Sequence, residues 1–540
     1  MSSTGTVDEQ PSATEAKMDA LVAANEKLAA ERDEYRKLYL SMLETCRKLE
    51  LGILGQKREK VTTAPGQMSL AVLATLLSED ARGTAPAPPV ELEHVKEHTR
   101  QKPTGRKPLP DKLPRVEIKV LPPEVEQEGL AAFEKIGEDM SETVERRPAS
   151  LVVVRTLRPK FLRKDRDRLA ETEVLQGEPI ELPIARGLAG PGLLADTVVR
   201  RWYEHMPLHR LERSYGREGL PLARSTICGW HGELANLVTP LLKAMHQDAL
   251  TAPYLCTDAT GVLVQAKERC GHGHFWVLIA PERHVLFEYT AKHDGAAVDT
   301  FLAGYKGHLV ADAHAVFDHL YRKGDVVEVG CWSHARRYYF KALETDPDRA
   351  RHALALIAGI FAIERKIAQA PPETKLRIRQ AETKPIVDAF FAWCDRESLL
   401  VLDETPIAKG IGYALNQRAA LERFLGDGRL PAHNNWSERE LRREAVGRKN
   451  WLFIGNDDAG EANATFVSLI ASCQLHGIEP WAYLRDLFCL LPAWPQRRVL
   501  DLAPAFWKKT TEEQDTQQLL AANVFRRVVL GLPVEHPATN

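Results

Sequence analysis

Apolar residues change their spacing several times along this chain, and each change marks a different kind of element. Between Tyr254 and Tyr321 the sequence reads YLCTDATGVLVQ, then HFWVLIAPERHVLFEYT, then FLAGYKGHLVADAHAVFDHLY. Three apolar runs rich in β-branched and aromatic residues are separated by short polar turns. A fourth run, Gly307 to Ala311, follows a short helical piece. This pattern predicts an antiparallel meander feeding a further adjacent strand. VVEVGCW, just downstream, predicts another buried strand.

Elsewhere the spacing is helical. From Met18 the residues Leu21, Asn25, Leu28, Arg32, Tyr35, Tyr39, Met42, Cys46 and Leu49 recur at alternating steps of three and four. This is a heptad seam, and an Asn within one commonly fixes the register of a parallel dimer. One long helix packed on its own protein has the same pattern; a dimeric coiled coil over 18–52 is the preferred expectation. Residues 1–17 are polar and expected to be disordered. Residues 53–113, rich in Pro, Gly, Ala and charge, read as a linker with a helix over Ser69 to Glu79. Its segment PTGRKPLPDKLPR suits a DNA-tracking arm or a plain spacer. Residues 114–187 read as a small β module with strands near Val116–Leu121 and Leu151–Arg158. Leu130, Phe133, Val152, Val154 and Phe161 are expected to form its core alone.

Residues 188–250 predict three helices: Leu193–His205, Leu208–Arg217, and Ser225–Leu237 with Ser225 as N-cap. Helix, helix, Gly turn, helix is the outline of a helix-turn-helix, and equally of a three-helix packing module. Residues 251–342 and 429–492 carry mixed strand and helix patterns, and the stretch between them, 343–428, is almost wholly helical. Helices Ala462–Gln474 and Pro480–Leu491 are expected to close the sheet. The tail, 493–540, is helical in pieces and carries no functional signal.

The chain has 540 residues, too long for one core. Its 44% hydrophobic and 27% charged content is that of a soluble globular protein. No apolar run reaches the ~20 residues of a membrane span, and the N-terminus lacks a signal-peptide core. Eight cysteines with no C-x-x-C pair fit a reducing, cytoplasmic setting. A net charge of −2 argues against a uniformly basic surface. Local basic runs at 100–119, 155–168 and 442–449 are what phosphate neutralisation requires.

The candidate chemistry lies in three carboxylates. Asp258 follows YLCT and Asp312 follows HLVA, both at strand ends, and Glu438 lies in NNWSERELRREAVGRKNWLF. Such a set suits two Mg²⁺ ions acting on a phosphodiester. Taken singly, Asp258 also suits a turn, Asp312 a helix N-cap and Glu438 a capping box. Arg439, Arg442 and Arg443 follow the glutamate on the same helix, and Arg448, Lys449 and Asn450 are phosphate and base-edge donors. Cys331 and His334 support the site, or are simply packed. Cys270, His272 and His274 resemble metal ligands but are expected in a hairpin loop without metal.

LPDKLPRVEI, GEDMSE, RPKF, HMPLHRLERSYGREG, STICGW, HFWVLIAPERHVLFEYT, CWSHARR, NNWSERELR, GRKNWLFIGN and GIEPWAYLRDLF occur in this order along most of the chain. On these stretches the chain resembles the insertion-sequence 66 family of bacterial DDE transposases. The resemblance implies an α/β fold with a ribonuclease-H-like catalytic core carrying an all-α insertion, preceded by the coiled coil, the β module and a helix-turn-helix-like DNA-binding module. It maps the family's acidic triad onto Asp258, Asp312 and Glu438, as catalytic residues and as ligands of two Mg²⁺ or Mn²⁺ ions. The implied reaction is cleavage at insertion-sequence ends followed by 3′-OH strand transfer into target DNA, with small accessory proteins as further partners. A catalytically silent DNA-binding derivative and a nuclease without strand transfer are the alternatives. The chain departs from the family in its β module, which usually carries zinc-ribbon cysteines. No cysteine lies between Cys46 and Cys228, and His94 and His98 lie in the linker, so no zinc is expected.

Overall fold

The computed structural model describes residues 109–533 apart from 148–149, 165–173, 186 and 267–268. The expected coiled coil and nearly all of the linker lie outside the described residues. Two compact units emerge among them: residues 332–429, and residues 109–331 together with 430–533.

The larger unit begins with a four-stranded sheet. Its strands are β1 (Arg115–Lys119), β2 (Phe133–Arg147), β3 (Ser150–Arg163) and β4 (Leu175–Gln176). The order is β1-β3-β2, with β4 also on β3; β1 is parallel to β3 and β2 antiparallel. Three helices follow: α1 (Pro191–Val198), α2 (Leu208–Arg217) and α3 (Arg224–Ala249). α1 runs on into a π-helical turn, Val199–Tyr203. α3 starts at Arg224 with Ala223 as cap, so Ser225 lies inside it, and it extends well beyond the expected Leu237.

The second sheet is the expected meander with its added strands. β5 (Tyr254–Val264), β6 (Gly271–Ala280) and β7 (His284–Thr290) are antiparallel; β8 (Gly307–Val310) and β9 (Val326–Val329) run parallel to β5. The order is β7-β6-β5-β8-β9. Among the helices that return to this unit are α4 (Asn435–Trp451), α5 (Asp457–Leu475), α6 (Pro480–Leu490) and α7 (Val524–Val529). Between α4 and α5 a two-residue strand, β10 (Phe453–Ile454), pairs with the far end of β5. α5 covers the edge strand β7. Ser468 and Ser472 accept from the amides of Phe287 (2.7 Å) and Val285 (3.1 Å), so buried edge groups that no strand reaches are satisfied by hydroxyls.

The β module does not form its core alone. Leu130 is 37% exposed and takes no part. Phe133 and Phe161 pack with Val125 at one end, whereas Val152 and Val154 pack with Ile118 and with Phe525 and Val528 of α7. The tail that carried no functional signal therefore completes this core. Arg526 of α7 also donates to Asp486 of α6 at 3.0 Å. Phe525→Ala should cost about 3–5 kcal/mol, the usual range for a buried aromatic. Chemical denaturation reads this directly, and a loss below about 1 kcal/mol would show that the tail is dispensable.

The unit of residues 332–429 is wholly helical. Trp332, Tyr339, Phe390 and Phe391 are fully buried in it, and the Trp332 indole donates to Leu421 O at 2.9 Å. Its one fully buried cation among the described residues, Arg379, pairs with Glu364 at 2.7 Å and donates to the carbonyls of Phe424 and Asp427. A buried guanidinium with this many acceptors fixes the fold of the segments it joins.

Candidate active site

β5 and β8 are paired with Cys256 opposite Val310. Asp258, expected at a strand end, lies inside β5, and Asp312 lies two residues past the end of β8, so each acid follows that pair by two residues. Asp258 Oδ1 accepts from the Ala259 amide at 2.8 Å. The turn after Asp312 is capped by His314, whose Nδ1 accepts from Val316 N at 3.3 Å; Asp312 is not that cap.

The helix that carries Glu438 is fastened to β5 at its start. α4 has Asn434 as N-cap, and Asn434 is fully buried. Its Nδ2 donates to the carbonyl of Thr257, the residue before Asp258, at 2.7 Å, and its own amide donates to Cys331 Sγ at 3.1 Å. The helix therefore starts against the peptide adjoining Asp258, four residues before Glu438. Its other end is held too: Arg448 donates to Thr260 Oγ1 at 2.9 Å and to Gly261 O. Ser437, Glu440, Leu441, Glu444 and Gly447 form the buried stripe of α4, leaving Glu438, Arg442 and Lys449 on its open side.

The three carboxylates are hard oxygen donors, the type that suits Mg²⁺ or Mn²⁺. Among the described residues no group of three or more His, Cys, Asp or Glu side chains closes around one point. The three acids are thus not drawn into one ligand shell. Asn434 Oδ1, Ser437 Oγ and Thr257 Oγ1 are buried without hydrogen-bond partners, all at the start of α4 or beside Asp258. Such unsatisfied groups are costly and collect at functional sites.

A row of imidazoles borders Asp312. His293 stacks on Trp276 (4.6 Å, 9° between planes) and meets His274 at 4.9 Å and His314 edge-on at 4.7 Å. Burial holds His293 below the usual histidine range; His314 pushes in the same direction and Asp312 opposes both. His272 and His274 lie within β6, not in the hairpin loop expected for them.

The basic candidates divide. Arg439, Arg442 and Lys449 are exposed, whereas Arg448 is bonded to β5. Asn450 Nδ2 donates to Val446 O at 3.3 Å. His334 lies in the helical unit, on the helix Trp332–Ala342. Two residues that the sequence reading did not single out do much of the positioning: Asn434, and Glu444, which is buried, accepts from Asn463 at 2.9 Å and is pushed by burial to about 7. Asn434 was discoverable in principle, since an Asn doublet before a helix offers one side chain to each side of the cap.

The family model described as Transposase IS66 family matches residues 186–462, just over half of the chain, including all three acids. The chain belongs to the IS66 transposase family. The family's IS66 C-terminal element matches residues 468–505, and a model described as Transposase C of IS166 homeodomain matches 42–118, mostly outside the described residues. Two similar proteins, both from Sinorhizobium fredii (strain NBRC 101917 / NGR234), are the uncharacterized proteins y4hP and y4qI. The first is 28% identical over 86% of this chain and 88% of its own length. The second is 28% identical over 75% and 78%. Membership makes this a transposase-type nucleotidyl-transfer protein whose implied partner is DNA, in a family that generally uses a divalent metal. No described helix is long and apolar enough to cross a membrane.

Proposed function

We propose that this chain is a DDE transposase with a ribonuclease-H-like catalytic core, cutting DNA at insertion-sequence ends and joining the freed 3′-OH to target DNA. The observation that supports it is that Asp258 and Asp312 each follow the paired residues Cys256 and Val310 of β5 and β8 by two positions, with the Glu438 helix pinned to the peptide beside Asp258. Asp258, Asp312 and Glu438 would hold two Mg²⁺ or Mn²⁺ ions, which supply an activated oxygen nucleophile and offset charge on the leaving oxygen. Asn434 and Cys331 keep the Glu438 helix at its station. Arg439, Arg442 and Lys449 hold backbone phosphates on the open side of α4, so the scissile bond is presented in line to the acids. Arg448 and Asn450 belong to the same DNA-facing end, Arg448 chiefly by fastening α4 to β5. A dimer through residues 18–52 would bring two element ends together, and the mass of the full chain in solution reads it. Cleavage and joining are both in-line displacements, so one site serves both.

Joining of a pre-cleaved element end to plasmid DNA in Mg²⁺ or Mn²⁺ tests the reading. Metal-dependent cutting without joining would leave a nuclease; binding without either would leave a silent DNA-binding derivative. The β module is proposed to hold no zinc, its hydrophobic clusters and α7 standing where a metal site would otherwise fix the fold. Elemental analysis of the purified chain should find none in stoichiometric amount. About one tightly bound zinc per chain, lost together with folding of residues 114–187, is the contrary result.

A further inference from the structure

α4 ends in a way that leaves apolar side chains in water. Leu452, its C-cap, sits at φ 62° and ψ −47°, a region of positive φ that L-residues seldom occupy. The strained backbone does not bury the side chain: Leu452 is 64% exposed and Phe453 41%. Val446, one and a half turns back, is 46% exposed, and Leu263, paired with Phe453 across β10 and β5, is 40% exposed. These four form an apolar ridge at the far end of β5.

The ridge continues the open face of α4. Glu438, Arg442, Val446 and Lys449 follow at steps of four, four and three, one side of a helix. Arg442 and Lys449 are exposed cations flanking the apolar residues. The next acids along the chain are engaged elsewhere: Asp457 accepts from Tyr289 OH at 2.6 Å and Asp458 from Asn456 Nδ2 at 3.1 Å. Fourteen residues of helix separate Glu438 from Leu452, about 21 Å at 1.5 Å per residue, or about six base-pair steps at 3.4 Å.

We infer that Leu452 and Phe453 are an apolar wedge that enters DNA between bases about six steps from the scissile phosphate, while Arg442 and Lys449 hold the backbone between the wedge and that phosphate. This rests on the DNA-transposase reading and adds to it a contact with the bases. Cationic flanks favour DNA as the occupant, since a neighbouring polyanion neutralises them while aromatic and aliphatic groups stack on bases exposed by a distorted step. The strained conformation of Leu452 is then the cost of aiming its side chain outward.

Binding of the full chain to a short mixed-sequence duplex, and to the same duplex with a mismatched central step, tests this at several salt concentrations. A wedge must unstack a step, and the mismatch lowers that cost. Wild type should prefer the mismatched duplex about tenfold, within the range of one base stacked on one side chain. Leu452→Ser with Phe453→Ser should remove the preference and leave the salt slope unchanged. Arg442→Ala with Lys449→Ala should flatten the slope and keep the preference. Leu452→Gly relieves the backbone and should unfold no earlier than wild type while losing part of the preference, which separates the wedge from a folding role. Equal wild-type binding to both duplexes, or full preference in the double serine variant, overturns the wedge. Wild type binding neither duplex overturns the transposase reading itself.

Discussion

Asn in place of Asp258 should lower both end cleavage and strand transfer by at least about a thousandfold, the scale of losing a metal-holding or electrostatic group in phosphoryl transfer. The substitution removes one charge and almost no volume. Its Oδ1 can still accept from the Ala259 amide, so β5 has no reason to rearrange. On the proposed two-metal reading Asp312→Asn and Glu438→Gln should behave in the same way, because each removes a charged metal ligand. DNA binding should survive in each, since Arg439, Arg442 and Lys449 stand on exposed turns of α4. Filter binding and a strand-transfer gel on the same preparations separate the two effects. Near wild-type joining by any one variant excludes that residue from the site; loss of binding together with catalysis shows instead that the fold has been damaged.

The meander was legible because its runs obey simple rules. YLCTDATGVLVQ and HFWVLIA are β-rich and bounded by turn residues, and β5 and β6 form from them. Leu208–Arg217 was predicted to the residue, its apolar face being strictly periodic and its start marked by Pro207. β2 was not predicted. Its apolar residues Phe133, Ile136, Met140 and Val144 recur at steps of three and four, a helical spacing, and Ile136 and Met140 are exposed. What makes it a strand is its 14-residue register against β3, a tertiary fact that local spacing does not encode. The β module's core was half legible for a similar reason. Val152 and Val154 announce a buried face, but nothing near them in sequence reveals that Phe525 and Val528 will cover it.

The site shows the same division. The acids are visible as polar interruptions of apolar runs, and the fold puts Asp258 inside β5 and Asp312 past the end of its neighbour β8. How β5 and β8 are aligned ahead of them depends on the register of Cys256 with Val310, and the place of the Glu438 helix depends on Asn434 reaching Thr257 O across 177 positions of chain. Long-range bonds of this kind are invisible to periodicity. Arg448 teaches the converse: a basic residue beside an acidic motif looks like a phosphate contact until the fold uses it to fasten a helix.

The second large effect concerns pH. Glu145 of β2 is fully buried, and its Oε1 accepts from the amides of Arg146 and Leu193 at 2.7 Å each, the latter in the first turn of α1. A Cβ at Gly192 would lie 2.5 Å from that same oxygen, so the close approach of helix and carboxyl requires glycine there. Oε2 has no hydrogen-bond partner. Burial raises the carboxyl from 4.5 to about 8, outweighing the amides and the more distant Arg485. Between those values the folded chain keeps a proton that the unfolded chain has released, so stability is greatest below pH 4.5 for this group and falls as pH rises towards 8. At about 1.4 kcal/mol per pH unit the loss across that interval amounts to about 5 kcal/mol. Glu288 and Glu444, each raised by burial to about 7, add to the same trend. His231 opposes it: burial lowers it to about 3, so folding strips its proton and stability falls as pH drops below 6.5. Glu145→Gln keeps an oxygen for the two amides and has no proton to lose. It should match or slightly trail wild type at pH 5 and exceed it by several kcal/mol at pH 8, on the order of the loss just given. Urea unfolding at both pH values decides the matter. Parallel pH dependence in the two proteins would mean that Glu145 is not the buried proton the fold retains.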